Sequence, residues 1–203
     1  MGDTFKQSMS KTMMMAEEYI KPVLPFMIHG ELIPVEGKTD DELYQILDRL
    51  AGIDYFCVDG DISYGVASRI QVGKSWDTFT VRKSRDSGAS TEYAKRLNAI
   101  EKDGIIFPKL TYQAYVSKDT GGKLQTMAVC LTRELIEFCR DGHASIRHTG
   151  KSQVGGAEFF VCKWSEMTRC GCKMRVLHSD GNVFLYNCGP EPIFERRYVQ
   201  HSD

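Results

Sequence analysis

The sequence predicts a mixed α/β (α+β) fold in which a single mixed β-sheet is flanked by helices. The chain has 203 residues, of which 42% are hydrophobic, and this is enough for one domain with a real core. Along the chain, segments with alternating apolar residues are separated by segments of helical periodicity. This pattern predicts that strands and helices are interleaved. The turn signals Asp59-Gly60-Asp61 and Gly121-Gly122 each separate two strand-like segments, as expected for antiparallel neighbours in such a sheet.

Helices are predicted where a capping residue precedes an apolar pattern of helical period. The first helix ends at Pro22, because proline cannot continue it. Thr39 opens a capping box for the second helix, and Ser90 or Thr91 caps the third. Thr132 is the predicted cap of the last helix. The predicted helices cover residues 4–21, 40–50, 92–102 and 133–141.

Strands are predicted where apolar residues alternate or run together between turn residues. The first three strands are expected to share one sheet, on which the helix over 40–50 packs through its leucine-rich face. Gln113 falls in the middle of a later strand, where it is expected to point outward. The predicted strands cover residues 53–58, 62–71, 77–85, 109–117, 124–132, 157–167 and 182–186.

Composition divides the chain into three parts. Residues 1–38 form an N-terminal helix and an extended arm, and residues 39–167 form the core. Residues 168–203 are rich in Cys, Gly and turn residues, and they are expected to pack on the core as an extension.

Charge is unevenly distributed along the chain. The formal net charge is −1, but residues 1–61 carry 12 acidic and 5 basic residues, a net of −7, and the remaining 15 acidic and 21 basic residues give a net of +6. A basic body of this kind is compatible with a polyanionic partner. The sequence contains no apolar run long enough to span a membrane and no secretory signal pattern, so a cytoplasmic location is predicted.

Asp54 stands at the start of a predicted strand, where Gly52-Ile53-Asp54 leads out of a helix. This layout, over roughly residues 39–140, resembles the PD-(D/E)xK nuclease superfamily, which includes Holliday-junction resolvases and restriction endonucleases. The resemblance implies a restriction-endonuclease-like core and Mg²⁺-dependent phosphodiester hydrolysis of DNA or RNA in defence, restriction or repair. In that family the acid at this position holds the metal, so Asp54 is the implied Mg²⁺ ligand.

The second half of the family motif is altered. Where the family has an acid, a spacer and a lysine, this chain has Ala67-Ser68-Arg69. An arginine is effectively always protonated, so Arg69 would hold a phosphate rather than act as a base. Gln71 or Glu92 would then supply the missing oxygen ligand. The alternative is a nuclease fold without catalysis that binds nucleic acid or a nuclease partner.

A basic segment with interleaved aromatic residues follows the altered motif. Residues 69–102 contain eight basic and four acidic residues, a net of +4. Basic side chains beside an aromatic ring suit a phosphate backbone and unstacked bases. The predicted nucleic-acid-binding residues are Lys74, Trp76, Arg82, Lys83, Arg85, Lys95 and Arg96.

Seven cysteines at irregular spacing in a chain with an ordinary core indicate free thiols rather than a disulfide framework. Four of them would together supply the four thiolates of a tetrahedral zinc site: Cys162, Cys170, Cys172 and Cys188. Their spacing lacks the paired two-residue intervals of zinc motifs, so zinc is the weaker cofactor prediction beside Mg²⁺.

A third interpretation is a protein–protein interaction module that binds another protein or a second copy of the chain. The methionine run Met13-Met14-Met15 lies on the first predicted helix. Methionine side chains make adaptable apolar contacts, so this run would form the contact surface. Packing of the same residues against the sheet is the other explanation.

Overall fold

The structure is a computed structural model that describes residues 14–35, 52–102, 107–118, 123–152 and 155–188. The predicted helix over 40–50 lies outside these residues. The strands are β1 (Glu31–Pro34), β2 (Tyr55–Asp59), β3 (Ile62–Val72), β4 (Thr78–Arg85), β5 (Pro108–Val116), β6 (Leu124–Leu131), β7 (Ser145–Ser152), β8 (Gly155–Lys163), β9 (Met174–His178) and β10 (Val183–Tyr186). After a π-helical turn at Ala16–Ile20, the α-helices are α1 (Leu24–Met27), α2 (Glu92–Glu101), α3 (Thr132–Arg140) and α4 (Trp164–Arg169).

The mixed α/β prediction is confirmed, but the strands form two sheets rather than one. The main sheet has seven strands in the order β1-β2-β3-β5-β6-β9-β10, with β3 and β5 parallel and the other pairs antiparallel. The second sheet is antiparallel and has the order β4-β8-β7. The prediction that β4 lies in the same sheet as β2 and β3 is therefore wrong. Its partner is β8, more than 70 residues later, and neither strand's local pattern shows that pairing.

Two hydrophobic cores lie on opposite faces of the main sheet. One contains the inner faces of β4 and β8, which pack with α2, α3 and α4 against β5 and β6 through residues such as Phe79 and Trp164. The other packs the N-terminal turn and α1 against the opposite face, where Met15 lies at its margin. Met14 is exposed, and Met13 lies outside the described residues. None of the helices in the described ranges is long and apolar enough to cross a membrane.

The predicted helices over 92–102 and 133–141 are present as α2 and α3. Thr91 caps α2 as predicted, because its hydroxyl accepts a hydrogen bond from the amide of Ala94 at 3.4 Å. The predicted cap of α3 is wrong. Thr132 lies inside the helix, and its hydroxyl is 2.8 Å from the hydroxyl of Thr111 in the core.

Three segments of the C-terminal half differ from the prediction. The strand predicted over 157–167 ends at Lys163, and Trp164 begins a short helix. Strands β7 and β9 are absent from the prediction, because β7 has a single large apolar residue, Ile146, and Arg175 interrupts the apolar pattern of β9. The tail is also more than an extension, since β9 pairs with β6 inside the main sheet.

Candidate nucleic-acid interface

An open cleft of about 380 Å³ forms where the outer face of the small sheet meets the end of β3. Side chains on a strand alternate between its two faces, so every second residue of β4 and β8 points to the same side. Phe79 and Phe160 point into the core, and the residues next to them face the cleft. The lining residues are Arg69, Gln71, Trp76, Thr78, Thr80, Arg147, Thr149, Phe159, Val161 and Lys163.

The cleft is cationic. Its lining includes Arg69, Arg147 and Lys163, and none of the described residues that line it is acidic. Lys163 forms an ion pair with Glu166 at 2.9 Å, but Lys163 is exposed and Glu166 only partly buried, so solvent screens the pair. The cleft therefore concentrates positive charge on a concave surface, which is the condition for attracting anions.

Phe159, which lines the cleft, contacts two guanidinium groups. The guanidinium carbon of Arg69 lies 5.0 Å from the ring centroid of Phe159, and that of Arg82 lies 5.3 Å from it. On the small sheet, Phe159 stands between Arg82 on β4 and Arg147 on β7. Arginine planes held against an aromatic ring lose little entropy on binding a phosphate.

Trp76 forms the aromatic rim of the cleft. Its side chain is 61% exposed, and the ammonium group of Lys74 lies 5.3 Å from its ring centroid. The loop that carries Trp76 is anchored, because the amide of Ser75 donates to the side-chain oxygen of Gln125 at 2.9 Å. A large exposed aromatic surface on an anchored loop offers a stacking platform.

Arg69 and Glu92, two of the predicted catalytic residues, form an ion pair. The guanidinium of Arg69 donates to one Glu92 oxygen at 3.0 Å and to the backbone oxygen of Thr80 at 3.3 Å. Burial alone would raise the pKa of Glu92, but the guanidinium groups of Arg69, Arg96 and Arg82 outweigh burial and hold that pKa below its ordinary value. Glu92 therefore remains a carboxylate that positions arginines.

Replacing Glu92 by Gln is expected to change how stability depends on pH. A carboxyl with a depressed pKa in the folded state adds stability above its ordinary pKa, and that stability is lost as the pH falls through the folded value. The wild type should therefore lose more stability than Glu92→Gln between about pH 5 and pH 3. Denaturant unfolding at several pH values measures this, with Glu101→Gln on the same helix as control. Parallel curves for wild type and Glu92→Gln would contradict the ion pair.

A hydrogen-bonded pair of glutamines forms the inner end of the cleft. The side chain of Gln113 is 1% exposed, so the predicted outward orientation is wrong. Its side-chain oxygen accepts from the amide of Thr80 at 2.7 Å, and its nitrogen donates to the side-chain oxygen of Gln71 at 2.8 Å. The oxygen of Gln71, predicted as a possible ligand for Mg²⁺, thus accepts a hydrogen bond from Gln113.

Asp54 is placed away from this constellation of side chains. It precedes β2, and its carboxylate accepts a hydrogen bond from the backbone amide of Ser68 on β3. Its own amide donates to the carbonyl of Val66 at 3.0 Å, so Asp54 extends the pairing of β2 and β3. Asp54 therefore bonds the backbone of β3 at Ser68, whereas the guanidinium of the neighbouring Arg69 forms its ion pair with Glu92.

The residues predicted to bind Mg²⁺ do not fit that ion. Mg²⁺ sites in proteins use carboxylate oxygens that are open to the metal and its waters. The Asp54 carboxylate accepts a backbone amide, and the Glu92 carboxylate accepts Arg69. Across the described ranges, no three His, Cys, Asp or Glu side chains form a group that would hold a metal.

Asp54→Asn is expected to act on stability alone. The asparagine oxygen can still accept from the amide of Ser68, but the bond loses its charge assistance. The free energy of unfolding should fall by about 1 kcal/mol. Affinity for an oligonucleotide should stay within about twofold of the wild type, because Asp54 does not line the cleft. Denaturant unfolding and fluorescence anisotropy measure the two quantities, and a large change in affinity would contradict this assignment.

The predicted basic residues are dispersed by the fold. Lys83 points to the other side of β4, where its ammonium group pairs with Glu158 at 3.1 Å and lies 5.7 Å from the ring centroid of Phe160. Arg96 is 4% exposed, so it is not available to a phosphate and the prediction of a nucleic-acid contact there is wrong. Arg85, at the end of β4, and Lys95, on α2, do not line the cleft.

Three of the charged and aromatic residues that line the cleft were missed by the sequence-based prediction. Arg147, Phe159 and Lys163 lie on β7 and β8, and the first of them comes 45 residues after the predicted basic segment of residues 69–102. Phe159 and Lys163 lie in a segment predicted as a strand, and their even spacing signals a shared face. The sequence alone does not show that this face lies beside Arg69, because their proximity depends on the pairing of β4 with β8.

The cysteines predicted as candidate zinc ligands are scattered. Cys162 is buried with its sulfur 3.4 Å from that of Cys139. Cys188 donates to the backbone oxygen of Met174 at 3.4 Å, and Cys170 is exposed on the turn after α4. Burial raises the pKa of Cys172 to about 12, which keeps this thiol protonated.

Comparison of the chain with models of known protein families, with curated proteins and with solved structures finds no match in any of the three. The resemblance to the PD-(D/E)xK nucleases thus stays a prediction from layout, and a function must be argued from the cleft itself.

Proposed function

We propose that this protein binds single-stranded nucleic acid in the cleft between the small sheet and β3. The observation that carries the proposal is the combination of three cationic side chains with an exposed tryptophan on one concave surface. A nucleic-acid strand presents phosphates and planar bases at a regular spacing, and a site needs both cations and an aromatic ring to bind it. This corresponds to the non-catalytic alternative of the nuclease-like interpretation.

The electrostatics of the cleft support an anionic ligand. Arg147 is exposed on an edge strand, and Lys163 stands on the same face of the small sheet. Arg69 lies deeper, where Glu92 and Phe159 hold its guanidinium in place. A phosphate on the outer side of the cleft would meet Arg147 and Lys163, and Arg69 would face the adjoining nucleotide. Such contacts release counterions and make affinity depend steeply on salt.

The size of the cleft supports a single strand. A volume of about 380 Å³ lies at the lower end of the range for small-ligand sites, so one nucleotide fits and a base-paired duplex does not. A base unstacked from its neighbours can lie on Trp76, whose ring is open to solvent. Stacking of a base on an aromatic side chain contributes about 1–3 kcal/mol.

Fluorescence anisotropy with a labelled 12-nucleotide single strand at low salt tests the proposal. We expect saturable binding that weakens as salt is raised, with the duplex of the same sequence binding at least tenfold more weakly. Binding of both forms with equal affinity would contradict the single-strand assignment. A wild-type protein that binds neither would contradict the proposed function.

A metal-dependent nuclease is the rival function that the family resemblance implies. The same oligonucleotides incubated with Mg²⁺ or Mn²⁺ should remain intact, because Asp54 and Glu92 are bonded to other protein groups. Cleavage that disappears in Asp54→Asn and in the presence of a chelator would support the nuclease and contradict a purely binding role.

A further inference from the structure

We propose that Gln71 is a specificity-determining residue that presents only hydrogen-bond donors to the base, so the cleft favours bases with carbonyl oxygens. This inference rests on the proposed function and names its preferred ligand: single strands rich in thymine or uracil, in preference to adenine.

The orientation of the two glutamines follows from groups that have only one hydrogen-bonding role. The backbone amide of Thr80 can only donate, so the Gln113 atom 2.7 Å from it is the side-chain oxygen. Tyr115 donates its hydroxyl hydrogen to the carbonyl of Thr78 at 2.9 Å, so it accepts from the Gln113 nitrogen at 2.9 Å. Both ends of the Gln113 amide are thereby assigned.

The orientation of Gln113 determines that of Gln71. The Gln113 nitrogen carries two hydrogens, one for Tyr115 and one for Gln71, so the Gln71 atom 2.8 Å away is its oxygen. The NH₂ group is then the end of Gln71 that remains for the cleft, and no described residue is its hydrogen-bond acceptor. An ordinary glutamine reads adenine with one donor and one acceptor together, whereas the acceptor oxygen of Gln71 is bonded to Gln113.

The cationic groups that line the cleft strengthen the same preference. Arg69, on the same face of β3, carries only donors, and so do Arg147 and Lys163 at the outer side of the cleft. Thymine and uracil each carry two carbonyl oxygens that accept from such groups. Adenine carries no carbonyl oxygen. Its acceptors N1 and N7 each lie beside the amino group, so a second donor next to Gln71 would meet that amino group. The difference should amount to one hydrogen bond, or about 3- to 10-fold in affinity.

Anisotropy titrations of (dT)₁₂ and (dA)₁₂ at low salt test this inference through the ratio of the two affinities. The wild type is expected to favour (dT)₁₂ about 3- to 10-fold. Gln71→Leu should reduce this ratio by about the same factor, because it keeps the size of the side chain and removes the donors. Adenine stacks more strongly than thymine, but Trp76 is unchanged in the variant, so that difference cancels between the two proteins.

Two further variants make the result interpretable. Gln71→Glu can still accept from Gln113 and presents a carboxylate to the cleft, so it should lower affinity for (dT)₁₂ more than for (dA)₁₂. Asn98→Leu, which also replaces an amide side chain by leucine but lies exposed on α2 outside the cleft lining, is the control and should leave the ratio unchanged. Circular dichroism establishes that each variant is folded.

The outcomes separate this inference from the proposed function. Binding of both oligonucleotides with a ratio that Gln71→Leu and Gln71→Glu leave within twofold of wild type would overturn the role of Gln71 and leave the function standing. Failure of the wild type to bind either oligonucleotide would overturn the proposed function and the inference with it. A fall in the ratio in both variants, but not in Asn98→Leu, is the supporting result.

Discussion

Reversing the charges of Arg147 and Lys163 together should weaken binding of a single-stranded oligonucleotide by about 100-fold at low salt. A hydrogen bond to a charged group contributes roughly 1.5–3 kcal/mol, so each lost contact corresponds to about tenfold or more. The slope of log affinity against log salt should also fall by about 1.4, because two phosphate contacts no longer release counterions from a single strand. Anisotropy titrations of Arg147→Glu/Lys163→Glu at several salt concentrations measure both quantities.

A matched pair of reversals controls for the change in net charge. Arg133 is exposed on the first turn of α3 and Lys109 is exposed on β5, and neither lines the cleft. Arg133→Glu/Lys109→Glu changes the formal charge by the same amount, so it should weaken binding only slightly. Equal losses in the two double variants would mean that the whole surface attracts the strand, and the cleft would not be the site.

Phe79→Ala should lower the free energy of unfolding by about 3–5 kcal/mol, the largest stability effect that we expect from a single replacement. Phe79 is 1% exposed on the inner face of β4, and its ring centroid lies 6.0 Å from that of Trp164. Truncation leaves a cavity where the small sheet packs on the helices, and a close-packed interior fills such a space only in part. Denaturant unfolding followed by circular dichroism measures the change.

Phe26→Ala is the matched control for that experiment. Phe26 is 55% exposed on α1, so its loss should change the free energy of unfolding by less than about 0.5 kcal/mol. A loss below about 1 kcal/mol in Phe79→Ala would contradict the packing of the small sheet described above, because a buried phenylalanine of this kind cannot be removed so cheaply.

Local patterns in the sequence were sufficient for elements whose stabilising interactions are local. Strand β3 and helix α2 lie within one or two residues of their predicted bounds. The cap of α2 is Thr91, whose hydroxyl accepts a hydrogen bond from the amide of Ala94 three residues later. A short stretch of sequence therefore contains the whole signal. Thr132 has the same signal, but its hydroxyl instead bonds Thr111, 21 residues away, and this tertiary contact overrides the local preference.

The sheet arrangement and the cleft depend on contacts between distant parts of the chain. The alternation of β4 predicts a strand, but it does not predict that the partner is β8 rather than β3. Arg96 has the charge of a surface residue, yet it is buried beside the carboxylate of Glu92. For the same reason, the sequence pointed to Arg69 and Trp76 but not to Arg147, which reaches the cleft only through the pairing of β7 with β8.

Asp54 illustrates why a motif alone was insufficient to predict chemistry. Its position at the start of a strand matches both a metal ligand and a residue that extends sheet pairing. The structure shows the second arrangement, with the carboxylate accepting the amide of Ser68. The distinguishing information is the partner of each carboxylate oxygen, and a single sequence does not contain it.

The central claim, that a single strand binds with a base on Trp76, is tested most directly by the fluorescence of the two tryptophans. The sequence contains only Trp76 and Trp164, which are 61% and 5% exposed. Titration of (dT)₁₂ into the wild type at low salt should quench emission saturably, and high salt should reverse it, because the base stacks on the exposed ring. In Trp76→Phe, which leaves Trp164 as the reporter, the quenching should disappear while anisotropy still reports binding. Quenching that persists in Trp76→Phe, or binding by the wild type with no change in emission, would contradict the claim.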